Sequence, residues 1–498
     1  MAEIDRSFTD MALDDLADAA LSKAGDMGAS HAEFRLERLR SQTITVRDRE
    51  LENAIDSATV GLCVRVLVDG SWGFAADLDI SPESASKTAA RAVEAASVFS
   101  SLNSERVELA DEPVYQDSWV SGFEINPFDV PDSEKIERLL SLSEKAFSTG
   151  KVDRFRGFMN AVQENKYFAS LAGSRITQQR IRVASDISVT KVDPNTGKFE
   201  DMRSTSPPVG RGYEFITGYD FMGEAEQLPE LLEEKMGSRS IEPGRYDLII
   251  HPSALWLTIH ESIGHSTELD RVLGYEATMA GTSFATVDKL GKLQVGSKVM
   301  NVTGDRIADG GVSTVGYDDE GVKAQSWDII KDGVLVGYQL NRQMAPKVGL
   351  TRSNGCAFAD SPFNAPLQRM PNVTMQPSPD DISLDDLIGG VDKGIYIVGN
   401  NSWSIDQQRY NFQFSGQQFW EISGGKIKGQ LKDVAYQGNT IDFWNAMEAV
   451  GGEDTFILFG TFSCGKGLPG QGAPAGHGCP AGLFRGINVL NTQKEGGG

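Results

Sequence analysis

The strongest chemical signal in this sequence is the segment HESIGH, which runs from His260 to His265. It holds two of the five histidines of the 498-residue chain, with the carboxylate of Glu261 directly after the first. Imidazole nitrogens are common zinc ligands, and a carboxylate beside the first ligand is placed to deprotonate a metal-bound water. The segment therefore predicts a hydrolytic zinc site with His260 and His265 as ligands and Glu261 as general base.

The spacing of the two histidines is one residue longer than in the common HExxH pattern. On a regular α-helix, a separation of five positions turns two side chains about 140° apart, whereas four positions leave them about 40° apart. A π-type turn accommodates one additional residue and would return both imidazoles to one face. We therefore expect such a turn here, with Gly264 as the residue most able to accept the distortion.

A third protein ligand is expected, because a catalytic zinc usually has three of them and one open position. Two carboxylates follow the second histidine closely, in the sequence HSTELDR. Thiol and imidazole candidates also lie in a glycine-rich stretch near the end of the chain. The candidates are Glu268 and Asp270 nearby, and Cys464, Cys479 and His477 farther along. Spacing alone leaves the choice among them open.

The remaining cysteines and histidines have simpler interpretations. Cys63 and Cys356 are predicted to be buried thiols, and His31 and His251 to have no chemical role. Four irregularly spaced cysteines in a chain of this length do not indicate a disulfide framework. The stretch from Gly460 to Gly467 is similar to a phosphate-binding loop, but it lacks the hydroxyl residue and the following helix that such a loop needs.

The elements around these residues predict an α+β fold. Helical periodicity covers 11–26, the stretch from Ser81 to about Val98, 133–149 and 226–236. Residues 152–204 read as a long antiparallel meander. In the second half, HPSALWLTIHESIGHSTEL is the long helical pattern among many short strands and turns.

A stretch that bears proline and glycine, GSRSIEPGRYD, marks a change in composition and predicts a domain boundary. Residues 1–240 are predicted to form an N-terminal α+β domain with an antiparallel sheet. Residues 241–498 are predicted to form a C-terminal β-rich domain, which carries the metal-binding helix and the glycine-rich cysteine loop.

Composition and charge restrict the partners. The formal net charge is −23, which repels phosphate backbones, so nucleic acid is not expected as a partner. No run of about 18 apolar residues is present, so a membrane partner is not expected either. The acidic start, MAEIDRSFTDMALDD, does not have the basic and apolar regions of a signal peptide, which predicts a cytoplasmic location.

The segment HESIGHSTELD resembles the HExxxH motif of the TldD/PmbA metallopeptidases, whose typical form is HExxGHxxExD. Other segments similar to that family follow in order along the chain: GLCVRVLVDGSWGFAA, YDDEGVKAQSWDIIKDGVLVGYQLNR, RMPNVTM and FSCGKGLPGQG. The resemblance extends from about residue 30 to about residue 490. HExxxH together with CGK is a specific combination.

The resemblance implies a complete metal site. It assigns the third ligand to the cysteine of CGK, here Cys464, and it implies one zinc per chain. It places the chain in the catalytic, TldD-like branch, because the motif is intact, and it implies the same two-domain architecture. It also implies a PmbA-like paralogue with a degraded motif as partner, with a homodimer as the alternative. The sequence departs from the family pattern after the cysteine, where it adds His477 and Cys479.

Several acidic residues have two interpretations each. Glu268 either orients a metal ligand from behind or is a solvated helix carboxylate. Asp318, Asp319 and Glu320 form a cluster that is either a turn or, by its match to the family, a contact to the substrate.

These observations predict a zinc-dependent peptidase that hydrolyses extended or unfolded peptides with low sequence selectivity and uses Glu261 as the base. Such a peptide would pair as an additional strand. Two alternatives remain open. The first is a non-catalytic or regulatory partner subunit of a TldD/PmbA-type complex. The second is a metal-dependent hydrolase of non-peptide amides.

Overall fold

The computed structural model describes residues 3–103, 105–194 and 197–495. Within them the chain forms a seven-stranded, a six-stranded and a second seven-stranded sheet, a two-stranded ribbon, and helices packed on these sheets. Most strand pairs are antiparallel, and the second half is rich in strands. The predicted α+β fold with a β-rich C-terminal region is confirmed.

The first sheet is built from the first half of the chain. Its strands are β1 (His31–Arg47), β2 (Glu50–Val68), β3 (Ser71–Asp77), β4 (Gln116–Val120), β5 (Arg154–Ser170), β6 (Arg175–Val192) and β7 (Phe199–Arg203). The strand order is β3-β2-β1-β5-β6-β4, with β7 also paired to β6. The meander expected at 152–204 is β5 to β7, which confirms that prediction.

Eleven α-helices lie within the described residues, and four of the longer ones cover the first sheet. The helices are α1 (Arg6–Thr9), α2 (Leu13–Asp26), α3 (Pro82–Ser100), α4 (Asp132–Ser148), α5 (Tyr213–Gly218), α6 (Phe221–Gly237), α7 (Pro252–Ile259), α8 (Leu269–Val272), α9 (Leu384–Gly389), α10 (Thr440–Asn445) and α11 (Thr492–Glu495). The apolar faces of α2 and α3 pack on β1 and β2. Those of α4 and α6 pack on β5 and β6. None of the described helices is long and apolar enough to cross a membrane.

The second half contains two sheets and a ribbon. One sheet has the order β11-β10-β9-β14-β21-β20, and the other has the order β15-β8-β22-β18-β16-β17, with β19 beside β22. An additional pairing of β15 with β16 closes this last sheet on itself. The ribbon is β12 with β13. The strands are β8 (Gly244–Ile250), β9 (Val302–Asp305), β10 (Ser326–Lys331), β11 (Val334–Leu335), β12 (Ala357–Phe358), β13 (Leu367–Gln368), β14 (Asn372–Met375), β15 (Lys393–Ile405), β16 (Asn411–Ser423), β17 (Ile427–Leu431), β18 (Val434–Asn439), β19 (Met447–Val450), β20 (Ile457–Lys466), β21 (Gln471–Cys479) and β22 (Gly482–Asn491).

Buried ion pairs connect the first sheet to the second half of the chain. The Nζ atom of Lys166 on β5 lies 2.9 Å from Asp319, and the guanidinium of Arg65 on β2 lies 2.9 Å from Glu320. The side chains of all four residues are at most 8% exposed. The division at 240/241 stays a prediction. If it is a domain boundary, these contacts join the two domains through desolvated charges.

Candidate metal centre

The first two candidate ligands lie where α7 changes into a π turn. The helix starts at Pro252, with the ring of His251 accepting a hydrogen bond from the backbone N–H of Ser253. Residues His260–Gly264 form a π turn, in which the backbone N–H of His265 donates to the carbonyl of His260. The expected π turn is therefore confirmed, and it brings the rings of His260 and His265 to a centroid distance of 4.7 Å.

The glycine of this turn has a different role from the one its flexibility suggests. Gly264 has φ −54° and ψ −63°, an ordinary right-handed conformation that any residue adopts. A Cβ atom at this position would lie 2.6 Å from Sδ of Met370, which is buried. The prediction that glycine absorbs the distortion is therefore wrong. Glycine is favoured here because the side chain of Met370, just before β14, packs against the turn where a Cβ atom would lie.

Cys464 on β20 joins the two histidines. One nitrogen of each imidazole and the sulfur lie within 4.8 Å of one another, and Sγ is 3.6 Å from Nε2 of His265. Typical zinc bond lengths at a tetrahedral angle place a shared nitrogen and sulfur about 3.6 Å apart. All three residues are buried. The arrangement therefore fits a four-coordinate ion with one position left open.

The other ring nitrogen of each histidine has a partner that fixes its tautomer. Nδ1 of His265 lies 2.9 Å from the carboxylate of Glu268, so it carries a proton and donates. Nδ1 of His477 lies 3.2 Å from the carbonyl of Val373 and donates to it, which leaves Nε2 of His477 as an acceptor. That Nε2 atom is 2.7 Å from Nδ1 of His260, which therefore donates. In the neutral form of each ring, both candidate ligand histidines therefore have Nε2 as the nitrogen left to bind a metal.

Glu268 is itself held by buried cations. Nζ of Lys466, the lysine of the CGK motif, lies 3.1 Å from Glu268 and 2.8 Å from Asp270. Burial alone would raise the pKa of Glu268, but Lys466 and His265 hold it well below its ordinary value. Glu268 is therefore a carboxylate that orients His265, and the alternative of a solvated helix carboxylate is wrong because this side chain is 1% exposed. Asp270 binds Lys466 and is not in the ligand group.

The thiols differ in their surroundings. Burial alone would raise the pKa of Cys464, but His265 and Arg369 keep it below its ordinary value, which favours the thiolate that binds metals. Burial raises the pKa of Cys479, whose Sγ lies 3.8 Å from the carbonyl of Pro252. Cys63 and Cys356 are buried, as predicted.

The stretch that resembles a phosphate-binding loop lies on strand β20 as far as Lys466, and Gly467 follows in a turn.

His260, His265 and Cys464 line one cavity, which has a volume of about 580 Å³, and Glu261 lines it as well. Its carboxylate forms an ion pair with Nη1 of Arg409, in the turn between β15 and β16. Burial alone would raise the pKa of Glu261, but His265, His260 and Arg409 hold it below its ordinary value. Glu261 is therefore ionised at neutral pH, as a general base must be.

The walls of this cavity are two strand edges. One wall is the end of β15, with Asn400 and Ile405, and the other is β20, with Thr461 and Cys464. β20 is the last strand of its sheet, and β15 pairs with β8 only from Gly394 to Ile397. Within the described residues, each strand therefore has one edge without a sheet neighbour at its cavity-lining segment, and the carbonyl of Asn400 accepts hydrogen bonds from Arg203 and Gln417.

The structure does not bring the acidic cluster at 318–320 to this cavity. Asp319 binds Lys166, Glu320 binds Arg65, and Asp318 accepts hydrogen bonds from the backbone N–H groups of Glu320, Val322 and Ala357. None of the three lines the cavity that contains Glu261. The contacts of Asp319 and Glu320 join the first sheet to the second half of the chain, whereas those of Asp318 hold its own turn and Ala357.

Two residues of the site were not identified from the sequence. Arg409 is 148 positions from Glu261, and Lys466 is 198 positions from Glu268. The signal for Lys466 was present in CGK, whose lysine could have been read as a partner for the carboxylates of HSTELD. Arg409 lies in a hairpin turn with no motif around it, so nothing in the sequence pointed to it.

Comparison with known protein families identifies the family of this chain. It matches PmbA/TldA metallopeptidase domain 1 over residues 32–96, the central domain over 125–240 and the C-terminal domain over 243–491. The chain belongs to this family of metallopeptidases, and the resemblance in its sequence motifs is confirmed.

Named relatives agree with this assignment. A metalloprotease from Methanothermobacter thermautotrophicus is 26% identical over 98% of this chain and 100% of its own length. A zinc metalloprotease TldD homolog from Saccharolobus solfataricus is 26% identical over 86% of this chain and 90% of its own length. The crystal structure of TldE from Thermococcus kodakarensis shares the fold, with a TM-score of 0.70, 16% identity, and coverage of 95% of this chain and 100% of that one.

Proposed function

We propose that this chain is a zinc-dependent peptidase in which His260, His265 and Cys464 hold one zinc ion and Glu261 is the general base. The observation that carries the proposal is the convergence of these four side chains on one cavity, with Nδ1 of each histidine occupied by a hydrogen-bond partner. Two imidazoles and a thiolate are a donor set that suits zinc. The name of the Saccharolobus solfataricus relative, a zinc metalloprotease, agrees with this choice of metal.

The mechanism follows from what each group does. A zinc ion held by these residues would supply Lewis acidity toward the scissile carbonyl and toward the water that attacks it. Glu261, held in position by Arg409, takes a proton from that water and delivers it to the leaving amine. The thiolate of Cys464 reduces the net positive charge of the site, so water activation depends strongly on Glu261.

The proposed substrate is an extended or unfolded peptide. A peptide strand that enters between β15 and β20 meets backbone donors and acceptors on both sides, and it can be held through its own backbone. Recognition of the backbone gives low sequence selectivity, because every residue offers the same groups. A folded protein does not present such a strand, so unfolded chains are preferred.

The direct test replaces the base. Glu261→Gln keeps the side-chain size and removes the charge, so bound zinc should stay at about one per chain while turnover falls by about 10² to 10⁴. Zinc is measured by atomic absorption and turnover on an unfolded protein substrate. Glu83→Gln, an exposed glutamate on α3, is the matched control and should change neither quantity.

The outcomes separate the alternatives. A wild-type chain that binds zinc but hydrolyses nothing, alone or with a paralogue, would be a regulatory subunit. Hydrolysis of simple amides but not of peptides would indicate the non-peptide hydrolase. Near-normal peptidase rates in Glu261→Gln would show that another group is the base.

A further inference from the structure

Arg409 occupies a backbone conformation that arginine adopts only at a cost. Its φ is 63°, in the left-handed region that favours glycine. The turn that carries it is fixed on both sides. The hydroxyl of Thr440 donates to the carbonyl of Arg409 at 2.7 Å, and the backbone N–H of Phe284 donates to the carbonyl of Gln408 at 3.1 Å. A side chain kept at a strained and rigid position indicates a function for that side chain.

The guanidinium of Arg409 has one edge in use and one edge free. Nη1 contacts the carboxylate of Glu261, which fixes the plane of the group. Nε is buried and has no hydrogen-bond partner among the described residues. The Nε side of a guanidinium presents two parallel N–H groups, which match the two oxygens of a carboxylate. A buried donor without an acceptor is unfavourable, so this edge is suited to an anionic ligand.

The metal cavity and a neighbouring cavity form one cleft, and the position of Arg409 in it indicates which anion this arginine would bind. A second cavity, of about 530 Å³, lies beside the metal cavity and shares Trp256, Asn400, Thr461 and Ser463 with it. From the shared Asn400, β15 leads to the turn with Arg409, and from the shared Thr461, β20 leads to Cys464. Cys464 thus lies beside the junction of the two cavities, and Arg409 lines only the metal cavity.

A peptide that fills the second cavity would therefore have little chain left beyond the metal. We propose that Arg409 binds the α-carboxylate at the C-terminus of the substrate and so directs cleavage to the last peptide bonds. This inference rests on the proposed peptidase function. The reaction remains a hydrolysis, in which water adds across the C–N bond and releases an amino acid or a short peptide bearing that carboxylate.

The test compares two peptides of one sequence, one ending in a free carboxylate and the other in an amide. For binding, both peptides carry a fluorophore and end in D-residues that resist hydrolysis, and affinity to the full-length, zinc-containing chain is measured by fluorescence anisotropy. The free acid should bind at least about tenfold more tightly than the amide, because a charge-assisted bidentate pair is lost with the amide. Arg409→Gln should remove the difference and keep the zinc.

Two control variants complete the experiment. Arg409→Lys keeps the charge without the bidentate geometry, so it should retain part of the preference. Arg239→Gln removes an exposed arginine that pairs with Glu421 outside the cleft, and it should keep the full preference. Equal binding of acid and amide by the wild type, or an undiminished preference in Arg409→Gln, would overturn the inference.

Cleavage products distinguish this inference from the proposed function. With hydrolysable L-peptides, mass spectrometry should show removal of residues from the C-terminus of the free acid. Cleavage of acid and amide alike at internal bonds would leave the peptidase function standing and overturn the role of Arg409. Unchanged affinities of both peptides in Arg409→Gln, with a fall in kcat alone, would also overturn it, since the arginine would then act only through Glu261. Absence of any hydrolysis would defeat the peptidase function, and the binding experiment would still decide on Arg409.

Discussion

Each imidazole proposed as a metal ligand is oriented by a group that accepts its Nδ1 proton. Glu268 accepts the Nδ1 proton of His265, and His477 accepts that of His260. The ring of His477 is in turn stacked on Trp256 at 5.9 Å. Two of the residues that the sequence left as possible third ligands, His477 and Glu268, therefore hydrogen-bond the proposed ligands. Such supporting hydrogen bonds raise metal affinity by fixing the ring and its tautomer.

The two cysteines near the end of the chain give a matched pair for the ligand assignment. Cys464→Ala should remove the bound zinc, because two histidines alone hold the ion too weakly. Cys479→Ala should keep it, because that thiol is buried against the carbonyl of Pro252, outside the ligand group. Atomic absorption on both purified variants measures the effect. Loss of zinc from Cys479→Ala and not from Cys464→Ala would reverse the assignment.

The decisive element is the helix that changes into a π turn, and it could be predicted because its signal is local. The five-residue spacing from His260 to His265 conflicts with a regular helix, and one inserted residue resolves the conflict. The hairpin turns at Asp69-Gly70 and Asp332-Gly333 are equally local, since both pairs have positive φ as a two-residue hairpin turn needs.

Other parts of the site have no local signal. The contacts that bring Cys464, His477 and Arg409 to the metal helix span 199, 217 and 148 residues. The family resemblance implies Cys464 as a ligand, and the sequence offers His477 only as one possible ligand. Which side chains meet across such distances depends on the closed sheet and the edge strand β20, and strand order cannot be read from hydrophobic patterns.

The fit between the π turn and its neighbour can be tested at Gly264. Gly264→Ala should lower the free energy of unfolding by about 1–3 kcal/mol, because the new Cβ overlaps the buried Met370. Met370→Ala should cost less in the Gly264→Ala background than in the wild type, since the two sites share the same space. Urea unfolding of the single and double variants gives the coupling free energy.

Gly237→Ala provides the control for this pair. Gly237 ends α6, and a Cβ there meets no atom within 4 Å, so the change should be neutral or stabilising by up to about 1 kcal/mol. If Gly264→Ala is equally harmless, the turn has room that the structure does not show, and the account of this glycine is wrong.

At the scale of the whole molecule, strand edges that stay open within the described residues lead us to expect a partner. Besides β20, the first part of β2 has an open edge, because β3 pairs with β2 only from Leu62 to Val68. Leu51 and Ile55 on that part are 45% and 57% exposed. Open edges of this kind are usually covered in native assemblies.

We therefore expect the isolated chain to be weakly active or inactive on unfolded peptides, and the family resemblance implies that a paralogue with a degraded motif restores activity. The assembled interface should exceed about 1,000 Å² of buried surface. Light scattering combined with peptidase assays of the mixed and separate chains measures this. Full activity from a monomer of 54.0 kDa would contradict the need for a partner, and an active homodimer would contradict only the heteromeric form.

The coordination of the metal is the central claim, and X-ray absorption at the zinc edge tests it most directly. Purified wild-type protein should show about two nitrogen ligands near 2.0–2.1 Å and one sulfur ligand near 2.3 Å. The sulfur signal should come from Cys464 and persist in Cys479→Ala. A zinc shell of nitrogen and oxygen alone, without sulfur, would contradict the site formed by His260, His265 and Cys464.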